Sequence, residues 1–191
     1  MEPIESAAIS ACQAGNLKEF GVLYDRYVKK IYDFIYYKTW HRETAEDLTS
    51  QVFFKALEHI KSYDERKGNF SSWVYRIARN AVIDHYRTKK IETNIDDAWG
   101  LHDNTDIERD IDTAEKLAKV KTYLEQFKPQ QREVVILRLW ENMSYQEIAD
   151  ATGLSVANCK MTVSRVLSKL RQDMALAVFY IGLLMTHYLW Q

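Results

Sequence analysis

The chain has few of the residues that interrupt or cross-link a fold. Among 191 residues there are two prolines, six glycines and two cysteines. So few breakers exclude a collagen-like or low-complexity chain and speak against the turn-rich pattern of an all-β domain. Cys12 and Cys159 are too few for a disulfide framework and point to a reducing compartment. The start, Met1-Glu2-Pro3, lacks the basic stretch and apolar core of a signal peptide, so the expected location is cytoplasmic. His41, His59, His85, His102 and His187 are scattered and make no metal set. His41 does fall near Glu43, Glu46 and Asp47, but a solvated helix start is the better reading. No Ser-His-Asp order, Gly-rich phosphate loop or paired-carboxylate site stands out, so neither enzyme activity nor a cofactor is expected. Charge of one sign is missing too: 26 Lys and Arg oppose 27 Asp and Glu, a net charge of −1. Taken as a sum, that disfavours a nucleic-acid binder.

What is present is helical. Hydrophobic residues make up 47% of the chain, enough for one domain or two small ones with a real core. From residue 17 to 90, Phe20, Leu23, Tyr27, Ile31, Phe34 and Ile35 recur at helical spacing. A second periodic stretch runs from Ala45 to Ile60. A polar segment then ends in the turn signal Lys67-Gly68-Asn69. A third helix follows from about Ser71 to Lys89, with Val74, Ile77, Ala78, Ala81 and Val82 inward.

The charge is not spread evenly. Residues 91–113 hold eight acids and one base, a net charge of −7, with no clean apolar period. They read as an acidic linker. Subtracting −7 from −1 leaves +6 on the rest of the chain.

A second helical block follows the linker. Asp112 and Glu115 have capping-box spacing, and Leu117, Val120, Leu124 and Phe127 mark one helix face. Pro129 opens a helix expected over 129–141. Ser144 and Glu147 form another capping box, Gly153 makes a tight turn, and Ser155 can cap the next helix. This is a helix-turn-helix pattern. Its second helix keeps Cys159, Val163, Val166, Leu167 and Leu170 inward. Asn158, Lys160, Met161, Thr162 and Arg165 are left on or beside the outward face, residue types that neutralise phosphates or read base edges. An ordinary helical hairpin with a solvated basic face is the weaker reading.

Two further patterns need a partner to explain them. On the Ala45–Ile60 helix, Asp47, Gln51, Phe54 and Glu58 lie opposite the apolar stripe, so Phe54 is an aromatic in a polar row. Either an isolated exposed aromatic or a docking helix fits that row. Residues 64–90 carry seven bases and three acids interleaved with Phe70, Trp73, Tyr75 and Tyr86. Arg76, Asn80, Ile83 and Arg87 share a face there, with Arg79 and Asp84 beside it. Positive charge with aromatics suits unpaired nucleic acid, although Trp73 and Val74 are expected in the core.

Together these stretches resemble the extracytoplasmic-function (ECF) sigma factors of the sigma-70 family. Ala45 to Leu57 resembles region 2.2, and Phe70-Ser71-Ser72-Trp73-Val74-Tyr75-Arg76-Ile77-Ala78-Arg79-Asn80 looks like regions 2.3 and 2.4. Pro129 to Glu133, Ser144 to Ala149 and Gly153 to Arg165 look like region 4. The resemblance covers about 17–90 and 114–173 and implies an all-α fold of two helical domains, residues 1–90 and 114–173, around a linker of 91–113; the apolar tail of 174–191 has no counterpart in the minimal family pattern. It implies that Asp47, Gln51, Phe54 and Glu58 contact core RNA polymerase, on its β and β′ subunits. Phe70, Arg76, Arg79, Asn80, Asp84 and Arg87 are then minus-10 residues, with the loop before Phe70 as the wall of a pocket for a flipped base. Asn158, Lys160, Thr162 and Arg165 are minus-35 residues. Family members often have Lys-Ser-Arg where this chain has Lys160-Met161-Thr162, which removes one arginine contact. The acidic linker would thread a positive polymerase channel in the manner of RNA. The implied partners are core polymerase, promoter DNA and an anti-sigma factor.

Residues 175–191 contain no Asp, Glu, Lys or Arg. At 17 residues, with Thr186, His187 and Tyr188, this segment suits a protein-docking helix better than a membrane span. The alternative to the sigma reading is a helix-turn-helix regulator that binds duplex DNA as a dimer.

Overall fold

The apolar stripe from Phe20 to Ile35 becomes one side of a long helix because residues three and four apart stack on one face. In the computed structural model, which describes residues 3–92 and 122–172, that helix is α2, Phe20–Thr39. Leu23, Ile31, Phe34 and Ile35 are wholly buried along it. It packs against α3, Arg42–His59, and α4, Phe70–Glu92, and these two pack against each other. The described residues form helices and no strand, and divide into two compact units.

The first unit also contains α1, Pro3–Gln13, which lies before the helical block read from the sequence. Its inward residues Ala8, Ile9 and Cys12 are mostly small, so the apolar period is faint. A carboxylate holds it in place. Glu5 is buried on α1, accepts a hydrogen bond from the Tyr27 hydroxyl at 2.9 Å and pairs with Arg26 at 3.1 Å. A buried carboxylate needs such partners to offset its lost hydration.

Between α2 and α3 the chain turns within two residues. Trp40 takes a left-handed conformation (φ 52°), and its ring lies against Tyr36 and Tyr37. His41 Nδ1 accepts from the Thr44 backbone N–H, so this histidine caps α3. The polar segment expected after residue 60 contains two 3₁₀ turns, Ile60–Ser62 and Glu65–Lys67. Asn69 then caps α4 by accepting from the Ser72 N–H at 2.8 Å. The helix α4 runs through Ile91 and Glu92, two residues into the expected linker, because nothing from Lys89 to Glu92 breaks a helix.

Phe70, expected among the minus-10 residues, is instead a core residue whose ring is completely buried. It starts the same inward stripe as Val74 and Ala78, four residues apart, and packs on Tyr27, Tyr63 and Trp73.

The second unit contains α5, Pro129–Leu139, the greater part of α6, Tyr145–Thr152, and α7, Val156–Gln172. The first is two residues shorter than expected, and Asn142 just beyond it has a positive φ of 51°. Val134 to Leu137 of α5 are buried, and that helix packs against α7 through the Cys159, Val163 and Val166 stripe. Cys12 and Cys159 are both free thiols in the core. Among the described residues no helix is long and apolar enough to cross a membrane. The acidic linker beyond Glu92, the Asp112–Glu115 box and the 174–191 tail lie outside the described residues.

Burial first, then the Glu5 carboxylate, pushes the Tyr27 phenol well above its usual range. Burial first, then Glu5, raises Tyr63 to about 12. The unfolded chain loses these protons near pH 10, before the folded chain does. Above that pH the unfolded state binds fewer protons, so stability must fall as pH rises. Thermal melts should therefore show the melting temperature dropping from about pH 10 upward. Tyr63→Phe should make that drop shallower.

Candidate nucleic-acid and protein interfaces

Three outward faces carry the residues singled out by sequence. The first is on α3. Its buried side is Ala45, Leu48, Val52, Phe53 and Ala56, with Phe53 meeting the rings of Phe20 and Tyr24. A half turn away, Asp47, Gln51, Phe54 and Glu58 are all exposed. Phe54 is 63% exposed, the highest value among the aromatic rings described as exposed. Leaving that much ring in water is unfavourable unless something covers it.

The second face is on α4. Arg76, Asn80, Asp84 and Arg87 are exposed, and Arg79 is half-buried. Asp84 and Arg87 form an ion pair at 3.2 Å, so one base on this face is partly neutralised by its neighbour. Ile83 is exposed between them, and the Tyr86 hydroxyl donates to the Lys38 carbonyl at 3.0 Å. At the start of α4, the loop from Tyr63 to Asn69 is closely tied. The Tyr63 hydroxyl donates to the Gly68 carbonyl at 3.1 Å. Arg66 pairs with Asp64 through two side-chain contacts of 2.9 Å, which holds the Asp64 carboxyl down at about 2. Gly68 sits at φ 137°, ψ 158°, a region open almost only to glycine.

The third face is the helix-turn-helix. Ser144 Oγ accepts from the Glu147 N–H at 3.2 Å while the Glu147 carboxylate accepts from the Ser144 N–H at 2.7 Å, the reciprocal box expected from the sequence. Gly153 closes α6 at φ 76°, where a side chain would be strained. Ser155 Oγ accepts from the Asn158 N–H, capping α7. Asn158, Lys160, Met161 and Arg165 are exposed. Thr162 is corrected: it is 7% exposed and its hydroxyl donates to Asn158 Oδ1 at 3.5 Å. It lies three residues from Cys159 and four from Val166, which turns it to the edge of the buried stripe.

Sequence reasoning missed two supports of this face. The Tyr145 ring has Arg138 at 4.9 Å and Lys160 at 5.9 Å from its centre. An aromatic at the first position of the short helix, with bases on the helices before and after it, was the available signal. Arg138 also donates to the Met143 carbonyl at 2.7 Å.

These faces occur in an order that comparison with known proteins explains. Residues 23–91 match the family described as Sigma-70 region 2, and residues 117–170 match Sigma-70, region 4. The chain is 31% identical to the RNA polymerase sigma factor YlaC of Bacillus subtilis, over 80% of this chain and 90% of that one. The chain belongs to the sigma-70 family. This sigma factor is also 33% identical to the ECF RNA polymerase sigma factor BldN of Streptomyces coelicolor, across 91% of its length, and spans 66% of BldN. Its fold is like that of CnrH, solved in complex with the cytosolic domain of CnrY, with a TM-score of 0.70 and 23% identity over 90% of this chain and 97% of that one. Two sigma regions in order do not favour the dimeric helix-turn-helix regulator. Members of the family are initiation factors, not enzymes.

The two phenylalanines should separate in a stability assay. Phe70→Ala removes a fully buried ring and is expected to cost about 3–5 kcal/mol in chemical denaturation. Phe54→Ala, at the surface, should change unfolding by less than about 0.5 kcal/mol.

Proposed function

We propose that this sigma factor docks on core RNA polymerase through the α3 row, holds the opened minus-10 element on α4 and its preceding loop, and reads the minus-35 element with α7. The observation that carries this reading is Phe54, a large ring exposed in a row of Asp47, Gln51 and Glu58 on a helix whose other side is fully packed. Such a ring is well placed for burial by a partner, and its polar neighbours suit the rim of a protein contact.

The α4 face combines Arg76, Arg79 and Arg87 for phosphates with Asn80 and Asp84 for base edges. That division of labour is what a captured single strand requires. On α7, Lys160 supplies phosphate contact, while Asn158 and Arg165 have the chemistry for bidentate base reading in the major groove. Residues 1–90 and 114–173 act as the two DNA-facing domains, and the −7 linker of residues 91–113 passes through a positively charged channel of the polymerase. Its acidity there replaces that of a nucleic acid.

The proposed setting is cytoplasmic, where polymerase and reduced thiols coexist. CnrH is bound by a cytosolic domain of a second protein, and we assign to this chain a regulatory partner of the anti-sigma class. The apolar tail, residues 174–191, is assigned to a further protein contact. No residue is given a catalytic role.

Two measurements test the reading. Phe54→Ala should abolish co-purification with core polymerase while the variant stays folded; unchanged co-purification would sink the docking assignment. Lys160→Ala should weaken minus-35 duplex binding similarly for all sequences and lower the slope of log affinity against log salt by about 1. Mapping transcript starts after overexpression supplies the promoter for the duplex assay.

A further inference from the structure

Helix α1 lies outside the matched region 2, which begins at residue 23, yet it reaches the loop before α4. Its last residue, Gln13, donates from one side-chain amide to two backbone carbonyls: Tyr63 O at 2.8 Å and Ile60 O at 3.2 Å. These carbonyls belong to the 3₁₀ turn that closes α3 and to the first residue of the loop. The Ile60 carbonyl also accepts from the Tyr63 N–H at 3.2 Å, so Gln13 adds a second donor at a turn the backbone already closes.

Tyr63 transmits this hold. Its carbonyl is fixed by Gln13, its ring packs on Phe70 and Trp73, and its hydroxyl donates to Gly68 at the far end of the loop. A seven-residue loop tied at its first and sixth positions has little freedom left to lose when a ligand arrives. Glu5 and the apolar residues Ala8, Ile9 and Cys12 supply the rigid base from which Gln13 acts.

We propose that Gln13 is a positioning residue for base capture: it preforms the 63–69 loop as a pocket wall before single-stranded DNA binds. The inference rests on the assignment of α4 and this loop to the minus-10 element. Gln13 touches no DNA itself and acts through the Ile60 and Tyr63 carbonyls. Because it is exposed at a helix end, its replacement leaves the core intact.

The test uses holoenzyme reconstituted from the full chain and core polymerase. Two variants reach at least as far as glutamine: an ionised Gln13→Glu can only accept, whereas Gln13→Lys can donate to both carbonyls. Three affinities are measured: for core polymerase, for a duplex carrying only the minus-35 element, and for a single-stranded non-template oligonucleotide carrying the minus-10 element. Gln13→Glu is expected to lose about tenfold for the single strand alone, the worth of two hydrogen bonds to neutral carbonyls. Gln13→Lys is expected to stay within about twofold of the parent throughout. The proposal is overturned if Gln13→Glu binds the single strand as the parent does, if Gln13→Lys loses as much, or if all three affinities fall together. If the parent holoenzyme itself shows no preference for the minus-10 strand over a scrambled one, the underlying promoter assignment fails instead, and the proposal with it.

Discussion

The Phe70 ring is where three parts of the first unit meet. It touches Tyr27 on α2, Tyr63 in the loop and Trp73 one turn along α4, and none of it reaches solvent. Each of those neighbours has a second role. Tyr27 anchors the buried Glu5 of α1, and Tyr63 spans the loop to Gly68. A single aromatic contact therefore couples the N-terminal helix, the loop and the long basic helix. The energy is mostly apolar burial, and the polar bonds around it set direction and register. With the inward sides of α2, α3 and α4 committed to this core, their outward sides are free to carry charge and exposed rings.

Much of this arrangement was legible because helices write their burial into the sequence at a fixed period. The stripe from Phe20 to Ile35, the opposite row through Phe54, and the caps at Ser144, Gly153 and Ser155 all follow from spacing and residue type. What escaped was information that spacing does not contain. Helix α1 buries small residues, so its period has low contrast. The reach of Gln13 to carbonyls about fifty residues away is a tertiary fact. Phe70 and Thr162 were misplaced for a shared reason: each stands within a functional motif but at the border of a buried stripe. Motif membership outweighed the helical angle, and the angle was the better guide.

Charge is organised on a larger scale than packing. The net charge of −1 hides an acidic segment of −7 set against +6 elsewhere. Among the ion pairs of the basic part are Arg66 with Asp64, Arg26 with the buried Glu5, and Arg87 with Asp84. Arg66–Asp64 shapes a loop and Arg26–Glu5 fixes a helix, whereas Arg87–Asp84 lies on an exposed face where solvent screens it. The first two pairs have architectural duties, and the third is open to exchange partners when a polyanion arrives.

The double capping of α6 has an evolutionary consequence. A helix of eight residues is too short to persist by itself, so Ser144, Glu147 and Gly153 confine the structural requirement of the turn to its ends. Asn158, Lys160 and Arg165 are left outside that requirement, exposed on α7. Their substitution costs the fold little. On the proposed assignment of these three to the minus-35 element, promoter preference can change while the capped scaffold that presents it is kept. Paralogues sharing one cell could acquire separate target sets by changing a few surface side chains.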